Sequence, residues 1–335
     1  RACYAAAPSE GMTMQRRDLL AAVAAALAIA VGPPAAAQGE KPIRIIVGFP
    51  AGAAVDTLAR MIADKMRLSL NQLVIVDNRA GAGGRLATEF VRAQAPDGTT
   101  LLVTPLAPMV TNPHSHKGLR YDVFRDFVPV SHVANFQLAF AVGPGVPAST
   151  LREYVELVKK EPRMGNYASA AAGSIPHFLG VMFARTAGVA LTHVPYKGTA
   201  PALTDLLGGQ IAAVSTTIGD ISPLHRAGKA RALAVSGAKR SEVLPEVPTF
   251  REQGYDLEGI GWYAVFAPAG TPKDTVDRLS RAVAQAAQTA DVRAWALKGG
   301  LEPTGTTPEA LAEIHRADYA KWGAVIKASG FTAED

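Results

Sequence analysis

The chain holds one cysteine in 335 residues, Cys3, and that residue lies ahead of the first apolar segment. Everything after it is therefore without disulfides, thiol nucleophiles or thiolate metal ligands. Aromatic residues are few, at 7%, and lysines and arginines are scattered instead of forming a stripe with aromatics between them, which argues against nucleic acid as a partner. Long apolar runs are also missing. The longest, Leu19–Val31, is too short to span a bilayer, and no stop-transfer pattern follows it. Metal-ligand clusters are absent: His114 and His116 stand two apart in a loop without grouped carboxylates, so no metal site is assigned. No cofactor motif is complete. Gly81-x-Gly83-Gly84 resembles part of a dinucleotide fingerprint, but Leu86 occupies the third glycine position. Ser236-Gly237-Ala238-Lys239 fits a serine–x–x–lysine pattern without its companion motifs.

What is present begins with an address. Met14-Gln15-Arg16-Arg17 supplies a positive segment, Leu19–Val31 an apolar one, and Ala35-Ala36-Ala37 a small-residue cleavage site, so the mature chain is expected to start near Gln38. Residues upstream of Met14, or of Met12, are read as lying before the natural start. Arg16-Arg17 suits a twin-arginine signal, and a general secretory signal fits equally. The expected destination is outside the cytoplasm, the periplasm for a Gram-negative source. The remaining length gives room for roughly two domains with a large core. A formal net charge of +5 helps attract small anions.

From there the pattern alternates strand and helix. Ile43–Val47 is β-branched and apolar enough for a strand buried on both faces. Pro50-Ala51-Gly52 breaks the run, after which Val55, Leu58, Ala59, Ile62 and Met66 fall on one helical face. Strands are predicted at Leu73–Val76 and Thr100–Thr104, with a glycine-rich loop over 77–84 and a helix over Leu86–Ala95 between them. This order argues for a parallel sheet with right-handed crossovers. Val128–Val142 reads as a first crossing between domains. A second α/β set follows: a helix at Leu151–Lys159, strands at Asn166–Ala168, Leu191–Val194, Ile211–Thr217 and Arg231–Val235, and a helix over Ala200–Leu207. In it Ser174 caps a helix that has Pro176 just inside its start. Trp262–Ala267 is a second crossing, and helices over Val276–Ala287 and Pro308–Ile326 return to the first domain. The fold class is thus α/β, a two-domain clamshell with a hinge of two crossing strands. Its halves are 38–135 with 264–335, and 136–263.

At several points the residues carry a family pattern. Phe49-Pro50-x-Gly52-x-x-x-Asp56-x-x-x-Arg60, Asn78-Arg79-x-Gly81-Ala82-Gly83-Gly84 and Ala95-Pro96-Asp97-Gly98-Thr99-Thr100 belong to it. So do Gly173-Ser174-x-x-His177, His193-Val194-Pro195-Tyr196-Lys197-Gly198 and the run Ala200–Gln210. Together, from Lys41 to about Ala328, the chain resembles the Bug family, periplasmic solute receptors of tripartite tricarboxylate transporters. The resemblance implies a type II periplasmic-binding-protein fold that closes on a small organic acid of dicarboxylate, tricarboxylate, aromatic or amino-acid type. It also implies delivery to an integral-membrane permease, with no cofactor and no catalysis.

It further implies which residues hold the ligand. From the first domain these are Phe49, Ala51, Gly52, Ala53, Asp56, Gly81 and Ala82. From the second they are Ser169, Ala171, Gly173, Ser174, His177 and Thr216. Backbone N–H groups and hydroxyls at helix starts suit a carboxylate without a buried counter-charge. The chain departs from the pattern at Ala53, a second glycine in the family, at Thr216, where an aspartate is common, and at Val181, where a glutamate is frequent. With Thr216 there, Asp56 is expected to be the one nearby carboxylate. Gly173→Asp is expected to block the anion while leaving the fold intact. Two other readings share these features, an exported α/β enzyme acting on carboxylates and a receptor that signals through the same cleft. Ser169 or Ser174 with His177 reads as capping and packing, not as a nucleophile and base.

Overall fold

The computed structural model describes residues 41–333; the expected leader, with its cleavage site before Gln38, lies outside them. In chain order the elements begin β1 (Ile43–Val47), α1 (Ala54–Leu70), β2 (Val74–Asn78), α2 (Arg85–Arg92), β3 (Thr100–Pro105), α3 (Leu106–Met109), α4 (Asn112–Ser115) and β4 (Phe127–Val142). Then come α5 (Leu151–Lys160), β5 (Asn166–Ser169), α6 (Ile175–Ala187), β6 (Thr192–Pro195), α7 (Thr199–Leu207), β7 (Ala213–Thr217), α8 (Ile218–Arg226) and β8 (Arg231–Val235). The chain closes with β9 (Ile260–Pro268), α9 (Lys273–Ala287), α10 (Ala290–Lys298), β10 (Leu301–Pro303) and α11 (Pro308–Ser329).

β1 forms as its composition dictates. Ile43, Ile45, Ile46 and Val47 are all buried, and β1 pairs in parallel with β2 on one side and β3 on the other. The apolar stripe of α1 (Val55, Leu58, Ala59, Ile62, Met66) is buried along its whole length. The sheet runs β2-β1-β3-β9-β4-β7-β5-β6, with β8 and β10 also paired to β4.

β4 ties the two halves together. Its residues Phe127–Gln137 pair with β9, and Leu138–Val142 pair with β7, so one strand changes partners midway. β9 is antiparallel to both β3 and β4, so β4 leaves the first half in the direction of β1–β3. It then enters the second half antiparallel to β7, to which β5 is parallel, and β6 is parallel to β5. The carboxyl ends of β1–β3 and of β5–β7 therefore face each other. Pro105 lies level with Tyr263 and Ala134, whereas Thr217 lies level with Leu138. Four strand residues separate those levels, which sets the facing edges about 13 Å apart at the floor.

The crossing is locked at its centre. Ser236 accepts from the Leu138 amide and donates to the Gly259 carbonyl, joining the two crossing segments. That pair of backbone bonds is the role of the serine in the incomplete Ser–x–x–Lys pattern. On the back of the bridge, Trp262 donates to Asp318 of α11 at 2.8 Å. Burial holds the Asp318 carboxyl above its ordinary range, and the indole bond opposes that shift.

Candidate functional site

In open α/β sheets, ligands bind beyond the carboxyl ends of the strands. Here two such edges meet, and nearly all the candidate residues lie on them.

The first wall is two loops held by one buried carboxylate. Asp56, 1% exposed, sits in the first turn of α1. Its Oδ2 accepts from the Gly52 amide at 2.8 Å and from Arg60 Nε at 3.1 Å, and its Oδ1 accepts from Asn78 Nδ2 at 2.8 Å. Asn78 Nδ2 also donates to the Phe49 carbonyl at 3.1 Å, and Arg60 Nη2 donates to Asn78 Oδ1 at 2.6 Å. Burial pushes the Asp56 carboxyl up, but the bonds from Arg60, Gly52 and Asn78 outweigh it and leave it below its ordinary range. Both oxygens are thus committed to shaping the loop. Ala51, Gly52 and Ala54 are exposed, and Ala53 supplies no side-chain cap, so the first-turn amides of α1 stay open to an anion.

The neighbouring loop packs edge to edge with it. A Cβ on Gly84 would stand 3.2 Å from the Phe49 ring, and one on Gly48 would stand 2.7 Å from the Gly84 Cα. Gly81 and Ala82 both have positive φ, 145° and 47°, the latter uncommon for a residue with a side chain.

The second wall is the loop after β5. Ser169 donates to the Ala171 carbonyl at 2.9 Å, so its oxygen accepts from His193 Nε2 at 2.7 Å. Ser174 also donates to Ala171, and it caps the His177 amide. The Gly173 amide donates to His177 Nδ1 at 3.1 Å, which puts the imidazole proton on Nε2. His177 and His193 stack at 4.0 Å. Burial drives the His177 pKa down to about 3, helped by His193, and burial alone takes His193 to about 4. Both rings are neutral. Ala171 and Ala172 are exposed on the loop. The next loop over folds onto this one, the Tyr196 and Gly198 amides donating to Ser169 and Ala170. Gly198 opens α7 without a side-chain cap, beside exposed Lys197.

The sequence from 58 to 331 matches the family described as the tripartite tricarboxylate transporter family receptor. The chain belongs to that family. The receptor is 36% identical to the protein BugT of Bordetella pertussis over 293 residues, 87% of this chain and 90% of the relative. Among solved structures, it superposes on R. palustris Rpa4515 with adipate at a TM-score of 0.79 and 31% identity, covering 88% of this chain and 99% of that one. MatC from Rhodopseudomonas palustris with bound malate gives 0.75 and 31%, covering 85% and 98%. The clamshell fold and the solute-receptor reading expected from the sequence hold for this receptor.

Two expectations change. Thr216 turns away from the Ser169 side of the sheet and donates to Asp220 Oδ2 at 3.1 Å, as does Thr217 at 2.9 Å. An exposed carboxylate, Asp220, thus stands where the sequence suggested none beyond Asp56. Gly173 cannot serve as a neutral site for aspartate. Its φ is +75°, and a Cβ there would meet the Phe331 ring at 3.2 Å. Substitution at 173 strains the fold as well as the anion site.

Sequence reasoning missed His193, Asn78, Ser215 and Phe331. The first two stand inside quoted family motifs, but their bonds depend on tertiary contacts. The Ser215 hydroxyl is fully buried without a hydrogen-bond partner, one step past the Ala168–Val214 pairing and so beside Ser169. Such a hydroxyl costs about 1–3 kcal/mol, the sort of local loss that gathers at functional sites. A cavity of about 210 Å³, lined in part by Gly143, Asn166 and Ala212, lies at the amino ends of β5 and β7, far from these loops.

Proposed function

We propose that the receptor works in the periplasm, where it captures a small dicarboxylate between its two halves and passes it to the membrane permease of a tripartite transporter. The observation that carries this reading is a pair of uncapped helix starts on facing edges: α1 after Ala53, and α7 after Gly198 with Lys197 beside it. Each offers unpaired amides and a positive helix end to an anion, so a ligand with a carboxylate at both ends satisfies both walls. Adipate and malate, held by the two R. palustris relatives, are acids of this kind. In this arrangement Phe49, Ala51, Gly52, Ala53, Gly81 and Ala82 line the first wall. Ser169, Ala171, Gly173, Ser174 and His177 shape the second, and Asp56 and Thr216 act through neighbouring side chains. The halves divide close to residues 135 and 264. The cleft holds its ligand and releases it unchanged.

Calorimetric titration with adipate and malate, against hexanoate and butyrate, tests this. The diacids should bind at least tenfold more tightly than the monoacids of equal length, a gap of about 1.4 kcal/mol or more. The acids should be recovered intact after long incubation. Equal affinity for mono- and diacids would remove one of the two anion sites from the reading.

A further inference from the structure

The last described residues, up to Ala333, touch both halves at the second wall. Gly330, with φ 69°, turns the chain off the end of α11. Phe331 then lies edge-on against His177 (5.0 Å, 72°) and Phe178 (5.6 Å, 80°) at the start of α6. Beyond it the Ala333 amide donates to the Ser115 carbonyl of α4 at 2.8 Å. Thr111, just before α4, donates its hydroxyl to the Gly173 carbonyl at 3.3 Å. α4 follows β3 in the first half, and Gly173 and α6 belong to the second. The tail and the Thr111 bond therefore join the halves at one point, on the loop that forms the second wall.

We propose that Phe331 is a positioning residue, the tip of a C-terminal latch that fixes the 169–177 loop in its ligand-holding shape and couples it to the first half. The proposal rests on the reading of that loop as a wall of the ligand cleft. His177 is held between two partners, the His193 ring stacked on it and the Phe331 edge against it. That clamp keeps Nδ1 aimed at the Gly173 amide, which in turn fixes the direction of the loop's remaining N–H groups. Gly173 permits the arrangement, since any side chain there would press on the Phe331 ring. Without Phe331 the imidazole is free to turn on one side, and only the Thr111 bond still ties the loop to the first half.

The test uses the full chain with Phe331→Ala and Phe331→Leu. Amide hydrogen exchange without ligand should rise at least tenfold in peptides covering 170–178 in the alanine variant. Exchange in β1–β3 should stay at wild-type rates, and leucine should restore most of the protection. Adipate affinity should fall at least fivefold in the alanine variant and recover with leucine. A uniform rise across the chain would make Phe331 an ordinary packing residue and overturn the proposal. Unchanged exchange at 170–178 would overturn it equally. If wild-type protein binds no diacid, the ligand reading fails, while the exchange result still decides whether the latch exists.

Discussion

At the scale of single residues, the polar groups of the candidate site bind mostly to one another and leave backbone amides at the helix starts uncapped. The sequence pointed to Asp56 and His177, but their partners are what define them: Arg60 and Asn78 for one, Gly173 and His193 for the other. This has a consequence for pH. An unfolded histidine titrates near 6.5. In the folded protein burial holds His177 at about 3, with His193 and His132 at about 4. These folded values are depressed, so below pH 6.5 the unfolded chain takes up protons that the folded one refuses. Stability should be level from pH 8 to 7 and then fall towards pH 4, by at most about 1.4 kcal/mol per pH unit for each such histidine and by less for the partly exposed His193. Urea midpoints measured from pH 8 to 4.5 will show the slope, and His193→Asn, which keeps a donor for Ser169, should make it shallower. A flat midpoint down to pH 4.5 would mean that these rings are not buried as neutral groups.

Secondary-structure elements were legible wherever periodicity ran long. The buried stripe of α1, the run of β1 and the 16 residues of β4 all stood out by composition; β1 and β4 match their expected bounds to within a residue, and α1 runs four residues past Met66, the last of its expected stripe. The expectation failed where local signals were mixed or short. α8 carries Pro223 in its interior and Gly219 in its first turn, and no helix is expected there from the sequence; β10 is three residues long. Pairing was invisible for a different reason: nothing local says that Phe136 lies opposite Gly261, or that Thr217 lies level with Leu138. Those registers place the floor of the cleft. Gly261 is flat against Phe136, and a Cβ there would stand 2.1 Å from the ring. Gly261→Ala should therefore push the crossing strands apart and destabilise the protein by about 1–3 kcal/mol. Thermal unfolding measures the cost. A variant as stable as wild type would show that the crossing flexes freely at this position.

For the whole molecule, the path of β4 through both halves decides what ligand binding does. The carboxyl edges face each other because β4 runs along β1–β3 and then against β7. On the proposed reading, a diacid held at both edges would touch two bodies joined by crossing strands and would bind best when they approach. Binding to the folded state alone stabilises it by about 2.7 kcal/mol at a hundredfold excess over the dissociation constant. That figure depends only on occupancy and does not reveal closure. Shape does. If the halves close on the ligand, small-angle scattering with saturating adipate should give a smaller radius of gyration than ligand-free protein, and the change should saturate with the calorimetric isotherm. Hexanoate, reaching only one edge, should stabilise at high concentration without compaction. That contrast separates the ligand's affinity from its span: two diacids of equal affinity but different length should compact the protein to different degrees. Tight adipate binding with an unchanged scattering curve would show that the facing edges form a rigid pocket, and the crossing strands would then be a bridge and not a hinge.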